Sequence, residues 1–416
     1  MSEWREVKLG DCVVVNKQTL PRDYQGKIRY IDISSVSEGV LNGYNEIEYQ
    51  DAPSRARRLV EDGDIIYSTV RPNLKGYYKF NDRVMESTVV STGFIVLSKT
   101  KYASIDYIYY YITEDSFVNY LTNVAKGAAY PAVGIDDFKK AKIRVPNLET
   151  QRKIANVLST YDKLIENNNR RIEILEQTAE ELYKEWFVRM RFPGYENAKF
   201  HKGIPEEWEI KKVEEIISFD IGGGWGEESL MNDFTEQAYV IRGTDIPNMK
   251  YGEFNYELLR YHKKSNLKSR KLESTDIIFE ASGGSKDQRL GRTFYVTEEI
   301  LSMYDNDVIC ASFCKLIKFE DKYLSWFFYN YLRYAYQTEI LSTFEVQSTG
   351  ISNFGFSKFK KHHQLLVPTS NVMEQFYKLT YPMLLEMQKL GNKNQNLIKQ
   401  RDLLLPRLMN GTITVK

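Results

Sequence analysis

Residues 151–187 read QRKIANVLSTYDKLIENNNRRIEILEQTAEELYKEWF, a run with no glycine and no proline. Leu158, Ile165, Ile172, Ala179 and Trp186 recur every seven residues. Ile154, Tyr161, Asn168, Leu175 and Leu182 form a second row at the same interval. Two interleaved rows at heptad spacing make a narrow apolar seam along one helix. The seam is too narrow for a core helix, and the other faces are too charged for a membrane span. It calls for a second helix. At about 1.5 Å per residue the segment would run roughly 55 Å.

A stretch of the same kind closes the chain. Phe376, Met383, Leu390, Leu397 and Leu404 recur every seven, with Met387, Asn394 and Leu408 on the neighbouring row. Gly391 is expected to weaken the middle, and Pro406 and Gly411 to mark the end. Both stretches are asparagine-rich at their midpoints, Asn167 to Asn169 in one and Asn392, Asn394 and Asn396 in the other. A buried polar residue in a seam costs stability and can fix register. The expectation is one antiparallel pair. Its seam would hold Leu158, Tyr161, Ile165, Asn168, Ile172, Leu175 and Leu182 against Met383, Leu390, Asn394, Leu397 and Leu404. The alternative is two unrelated surface helices.

The chain has 416 residues, which suits two domains better than one. Its formal net charge is +1, so nucleic-acid binding would have to come from local patches. Cys12, Cys310 and Cys314 are too few for a disulfide framework and suit a reducing cytosol. Cys310 and Cys314 sit on a segment that reads as one strand and are expected to be buried. The opening MSEWREVKLG is charged and has no apolar centre, so no signal peptide is expected. No run of about 18 apolar residues is present, so no membrane span is expected either.

Residues 1–148 read as a mixed α/β domain. Short β-rich runs fall at Cys12–Val15, Ile28–Ile33, Asp64–Val70, Gly76–Phe80 and Thr92–Leu97, separated by turn formers. Ile105–Val124 reads as a helix, and Phe138–Pro146 as a strand leading into the first long helix. After Trp186 a connector follows, RFPGYENAKFHKGIPEEW, and then the pattern starts again. Trp4 with Leu9 matches Trp208 with Val213. Arg57-Arg58-Leu59 before Asp64-Ile65-Ile66-Tyr67 matches Arg270-Lys271-Leu272 before Asp276-Ile277-Ile278-Phe279. Gly134 to Phe138 and Pro146 matches Gly355 to Phe359 and Pro368. The chain therefore reads as globular domain, long helix, globular domain, long helix. Its period is far longer than any solenoid repeat. A doubled unit of this kind suits a target with two similar halves, and duplex DNA is one.

Loops after the D-I-I-aromatic strands are cationic in both halves. One holds Arg71, Asn73 and Lys75, the other Lys286, Arg289 and Arg292. Guanidinium groups on such loops can meet phosphates or guanine edges. A second pair of loops precedes the strand into each long helix. Lys126 and Tyr130 lie on one; Ser348, Thr349 and Asn353 lie on the other. Their small residues allow close backbone approach to a groove. These eleven residues are the candidate DNA contacts, and ordinary solvated turns are the plainer alternative for each.

Asp220-Ile221-Gly222-Gly223-Gly224-Trp225-Gly226 follows an apolar strand in the manner of an adenosylmethionine loop. Such a loop needs a helix straight after it, so that backbone N–H groups face the anion. Glu227 to Gln237 has little helical periodicity, and the chain lacks an Asn-Pro-Pro-Tyr or Asp-Pro-Pro-Tyr tetrapeptide. A flexible or base-approaching glycine loop fits better. The histidines, His201, His262, His362 and His363, have no metal-ligand spacing, so no metal site and no catalytic residue is expected.

Val145-Pro146, Leu148, Gln151, Ile154-Ala155, Leu158, Asp162 and Ile165 resemble the central region of Type I restriction–modification specificity (S) subunits. The family pattern is V-P-x-L, then Gln, then I-A-x-x-L-x-x-x-D-x-x-I, then a long heptad run. Glu149-Thr150-Gln151 departs slightly from the family's Glu-Gln. The C-terminal helix keeps Val367-Pro368 and the terminal LLLPRLMNG but lacks the Ile-Ala signature.

The resemblance implies an α+β fold, with two similar target recognition domains separated by two long antiparallel, coiled-coil-like helices in a pseudo-twofold repeat. The domains would be 1–148 and 191–368, with helices over 149–190 and 369–411. It implies a non-catalytic subunit in which each domain reads one half of a bipartite double-stranded DNA site. The helices would set the spacing and dock two methyltransferase subunits, and restriction/translocase subunits would join them. Adenosylmethionine, ATP and Mg would sit on those partners, in the cytoplasm of a bacterial or archaeal cell. A single-chain adenosylmethionine-dependent DNA methyltransferase is the alternative.

Overall fold

The computed structural model describes residues 4–81, 84–254, 256–283, 288–348 and 351–415. The chain forms two compact units, residues 1–163 with 397–416, and residues 164–396.

In the first unit, one four-stranded sheet runs in the order Val14–Val15, Phe94–Ser98, Ile65–Ser68, Tyr77–Lys79. A second runs Asn45–Glu48, Lys27–Ile31, Thr88–Ser91, Ala56–Leu59, and its two central strands are parallel. Ile65, Ile66 and Tyr67 are all buried, which explains a continuous apolar run in place of alternation. Arg5–Lys8 pairs antiparallel with Lys142–Val145, the strand that leads into the central long helix. Three expectations need correction. Cys12 ends a short helix, Leu9–Cys12, and the strand begins at Val14. Ile105–Val124 is two helices, broken at Glu114, whose extended backbone lets its side chain accept the Ser116 N–H. Phe138–Lys140 belongs to a helix, Ile135–Lys140, because Phe138 must turn into the core while its lysines face out.

The second unit repeats this plan. Phe219–Gly222, Cys314–Lys318, Ile277–Glu280 and Thr293–Tyr295 form the first sheet in the same order. Leu259–Lys263, Phe234–Ile241 and Asp307–Cys310 form the second, again with its two corresponding strands parallel. Glu209–Lys212 pairs antiparallel with Gln364–Val367. Cys310 and Cys314 lie on two strands flanking a turn, not on one. Both are buried, and burial pushes the Cys310 thiol up to about 12.

The Asp that opens each D-I-I strand is buried in both units. Asp64 accepts the Glu61 N–H at 2.9 Å, and Asp276 accepts the Glu273 N–H at 2.7 Å. Burial raises both carboxyls, Asp276 to about 6.

The central long helix spans Leu148–Tyr183 and passes into one π turn, Lys184–Val188. The C-terminal long helix spans Ser370–Met409, running unbroken through Pro382, Gly391 and Pro406. Within the second unit they are antiparallel. Asn168 meets Asn394, Arg171 meets Glu386 at 2.8 Å, and Trp186 packs on Phe376 with ring centroids 5.6 Å apart. In the first unit Asp162 meets Arg401 at 2.7 Å.

Leu158, Asn168, Ile172, Leu390 and Asn394 are buried, and Tyr161, Ile165, Leu175, Leu182, Met383, Leu397 and Leu404 are half-buried. The seam is wider than heptads require. Phe376, Leu384, Met387 and Leu390 share one core cluster with Trp326, Phe327 and Phe328, so this stretch is a core helix after all.

The asparagine midpoint is a chain of three amides. Asn168 Nδ2 donates to Asn394 Oδ1 at 2.7 Å, and Asn394 Nδ2 donates to Asn169 Oδ1 at 2.7 Å. Asn168→Ala strands a buried acceptor and is expected to cost about 1–3 kcal/mol. Asn168→Leu combined with Asn394→Leu should recover most of that loss. A double-mutant cycle by urea denaturation checks it, and strict additivity would show that the amides do not interact.

Candidate nucleic-acid interface

The residues that carry the family resemblance anchor the central helix within the first unit. Gln151 accepts the Ser104 N–H at 2.9 Å and donates to the Pro146 carbonyl at 2.9 Å. Ile154, Ala155 and Leu158 are buried in the first unit's core. Asp162 accepts the Tyr110 hydroxyl and the Arg401 guanidinium. In the second unit Phe376 and Thr380 stand at the same distances from Pro368 as Ile154 and Leu158 do from Pro146. Thr380 is fully buried and accepts the Trp326 indole N–H at 2.8 Å. A buried indole needs an acceptor, so Thr380 stands where the first unit has Leu158, while Phe376 and Tyr377 stand in place of the Ile-Ala pair.

In the first unit the two candidate loops close on each other. Thr69 donates its N–H to the Gly93 carbonyl at 2.9 Å and accepts the Val133 N–H at 2.9 Å. The Arg71 N–H reaches the Pro131 carbonyl at 2.8 Å, and its guanidinium donates to the Ala129 carbonyl at 3.1 Å. The same guanidinium lies over the Tyr130 ring, 4.6 Å from its centroid. Arg71, Asn73, Lys126 and Tyr130 are all exposed on this clasp, Tyr130 at 70%. Arg71 has φ 48° and Lys75 φ 51°, left-handed values that cost non-glycine residues energy and cluster at functional sites. Lys75 points away from the rim, held by Asp115 at 2.8 Å, a hydrogen bond that raises its pKa.

The second unit makes the same clasp. The Ala281 N–H reaches the Phe313 carbonyl at 2.8 Å, and the Phe354 N–H reaches the Ala281 carbonyl at 2.8 Å. Ser282–Gly283 pairs with Ile351–Phe354, which pairs in turn with Glu345–Ser348. The Ser282 hydroxyl donates to Asn353 Oδ1 at 2.7 Å, and Asn353 is exposed. Arg289 is exposed and pairs with Glu339 at 2.6 Å. Arg292 differs from the expectation. Its side chain is 15% exposed and forks onto the buried Glu280, with Nε to Oε2 at 2.7 Å, so it holds the sheet together and does not stand at the rim. Of Ser348 the backbone alone is described, paired with Ile351. Lys286 and Thr349 lie outside the described residues.

The glycine run is a packing device. A Cβ on Gly223 would sit 2.2 Å from the carbonyls of both Cys310 and Ala311, and Gly226 has φ +70° against His262. No helix follows it; the next regular element is the strand Phe234–Ile241. Its Trp225 is 43% exposed and carries the Arg260 guanidinium 5.2 Å from the ring centroid. Trp225, Arg260 and Phe313 were not legible in a chain with 30 Tyr and 21 Phe, where composition says nothing about which rings face out.

A cleft of about 250 Å³ opens beside Lys250, Arg292 and Arg333. Their charges are answered by carboxylates. Glu176 bonds Lys250, Tyr251 and Arg333, and Arg333 also reaches Glu180 at 2.7 Å. Burial pushes Lys250 down to about 8. Burial alone would raise Glu176, but Lys250, Tyr251 and Arg333 together hold it below the usual carboxylate range. Among the described residues no group of three His, Cys, Asp or Glu is placed to hold a metal ion, and no helix is long and apolar enough to cross a membrane.

Residues 1–177 match the family model described as Type I restriction modification DNA specificity domain. The chain is 27% identical to the Type I restriction enzyme MjaIX specificity subunit of Methanocaldococcus jannaschii, over 75% of this chain and 69% of that protein. It is 22% identical to the Type I restriction enzyme HindI specificity subunit of Haemophilus influenzae, over 99% of this chain and 100% of that one. The crystal structure of a Type I restriction-modification system S subunit from M. genitalium shares the fold, with a TM-score of 0.61 at 16% identity, covering 98% of this chain and 96% of that chain.

Proposed function

We propose that this chain, a member of the family of Type I restriction–modification specificity subunits, is the DNA-reading subunit of such a complex. The observation that carries the reading is the duplicated clasp. In each unit, the loop after the D-I-I strand and the loop before the long helix are hydrogen-bonded into one rim. Each rim reads one half of a bipartite duplex site, by side chains reaching base edges and by positioning contacts to phosphates. The paired helices set the interval between half-sites and dock two methyltransferase subunits. Restriction/translocase subunits join the same complex, and adenosylmethionine, ATP and Mg belong to those partners. The chain itself supplies recognition and no chemistry, in the cytoplasm of a bacterial or archaeal cell.

The glycine-run geometry argues against the single-chain methyltransferase reading, because Gly223 is pressed onto the Cys310–Ala311 backbone, Gly226 onto Tyr261 and His262, and the run leads into no helix.

Modularity gives the test. Residues 1–146 are exchanged for the matching segment of a relative with a different target, and the methylated motif is read from genomic DNA. One half of the motif should change and the other stay as it was. A change in both halves would mean that the two rims do not read independently.

A further inference from the structure

The two clasps differ at one corner. In the first unit the carbonyl that receives the Thr69 N–H belongs to Gly93, and a Cβ there would lie 2.3 Å from Ile33 Cδ1. That corner is closed by the unit's own isoleucine. In the second unit the equivalent carbonyl belongs to Phe313, whose side chain is 57% exposed. Single exposed apolar residues are common and mean little alone. Here the surroundings add to it.

The turn that carries Phe313 is tied down on every side. Its carbonyl accepts the N–H groups of Ala281 and Ser282 at 2.8 and 3.0 Å. The Cys314 N–H closes onto the Ala311 carbonyl at 2.8 Å, and the Ala311 N–H onto Ile241 at 2.8 Å. Gly223 and Gly224 bond the carbonyls of Cys314 and Cys310, each at 2.9 Å, and brace the turn from the other side. Ser282, whose N–H holds Phe313, also joins its hydroxyl to Asn353. An exposed aromatic ring is thus carried on a backbone fixed beside the polar groups of the second clasp. Apolar side chains of this kind insert between base steps and partly unstack them.

We infer that Phe313 is a specificity-determining residue of the second rim, pressing as an apolar wedge against a base step of the half-site that this unit reads. The inference rests on the DNA-reading proposal above. It makes the two half-sites unequal: the second is read through a deformable step, the first through Arg71 and its stacked tyrosine.

The test uses the chain assembled with its modification subunits. One duplex carries the motif deduced from methylated genomic DNA; a second has the half-site of the second unit scrambled. Phe313→Ala should bind the first duplex about tenfold more weakly than wild type, with Phe313→Leu in between. Neither should alter binding to the scrambled duplex or the salt dependence, because no phosphate contact is lost. The unfolding profile should not move, because the ring is exposed. Equal binding of Phe313→Ala and wild type to the first duplex overturns the inference, and so does an equal loss on both duplexes. If wild type itself fails to distinguish the duplexes, the DNA-reading proposal falls and takes this inference with it.

Discussion

Replacing Gly391 by alanine is expected to destabilise the second unit by about 3 kcal/mol, the upper part of the usual range for overpacking. Helix propensity alone predicts the opposite sign, because alanine is favoured over glycine by about 1 kcal/mol inside a helix. Packing decides the outcome. A Cβ on Gly391 would lie 1.5 Å from the carbonyl oxygen of Tyr251, and one on Gly252, at φ +80°, would lie 2.1 Å from the Gln388 carbonyl oxygen. Two backbones touch here, and neither has a flexible end that can give way. The displaced loop would carry Lys250 and Tyr251 off Glu176, leaving that half-buried carboxylate with Arg333 alone. Four of the five tryptophans, Trp186, Trp208, Trp225 and Trp326, belong to residues 164–396, so fluorescence-monitored urea unfolding reports on this unit. Lys389→Ala, on the exposed face of the same helix, should stay within about 0.5 kcal/mol of wild type. A Gly391→Ala variant as stable as wild type would show that the loop does not rest on the helix.

Arg71→Ala should weaken binding to the full bipartite duplex between about tenfold and a hundredfold, the range of a lost bidentate guanine contact. Three observations set this residue apart from the other exposed cations. Its backbone is held left-handed at φ 48°, its guanidinium is stacked on Tyr130, and its N–H is fixed to Pro131. The stack keeps the guanidinium plane oriented before DNA arrives, so less side-chain freedom is lost on binding. Arg71→Lys should fail to restore binding, because an ammonium offers neither the fork nor the stack. Discrimination should relax at one position of the first half-site and nowhere in the second. The salt dependence separates the roles: a base contact leaves the slope of log affinity against log salt unchanged, and a phosphate contact lowers it by about one. Loss spread evenly over all sequences would place Arg71 on the phosphates.

Much of the architecture could be read from short signals. The heptad rows located both long helices, and the repeated D-I-I-aromatic and Gly-to-Pro spacings exposed the duplication. Gln151, Ile154, Ala155, Leu158 and Asp162 carried the family resemblance, and their contacts explain why those types stand there. What stayed hidden depends on contacts distant in sequence. Gly391 reads as a weak point in a helix, yet its reason is the carbonyl of Tyr251 on a loop of the second unit. Nothing in the sequence singles out Thr380; its reason is Trp326, an indole in need of an acceptor. Arg292 and Lys75 looked like free cations because the sequence does not place Glu280 or Asp115 beside them. Ala141 to Val145 alternates as a strand does, and Phe138-Lys139-Lys140, which does not alternate, ends the short helix before it.

The most direct measurement is the methylation pattern of a genome that expresses this chain with its modification subunit, compared with a strain lacking the chain. One motif should depend on it, made of two specified segments around a gap in which any base is tolerated. A single uninterrupted motif, or methyl transfer by the purified chain alone, would contradict the account.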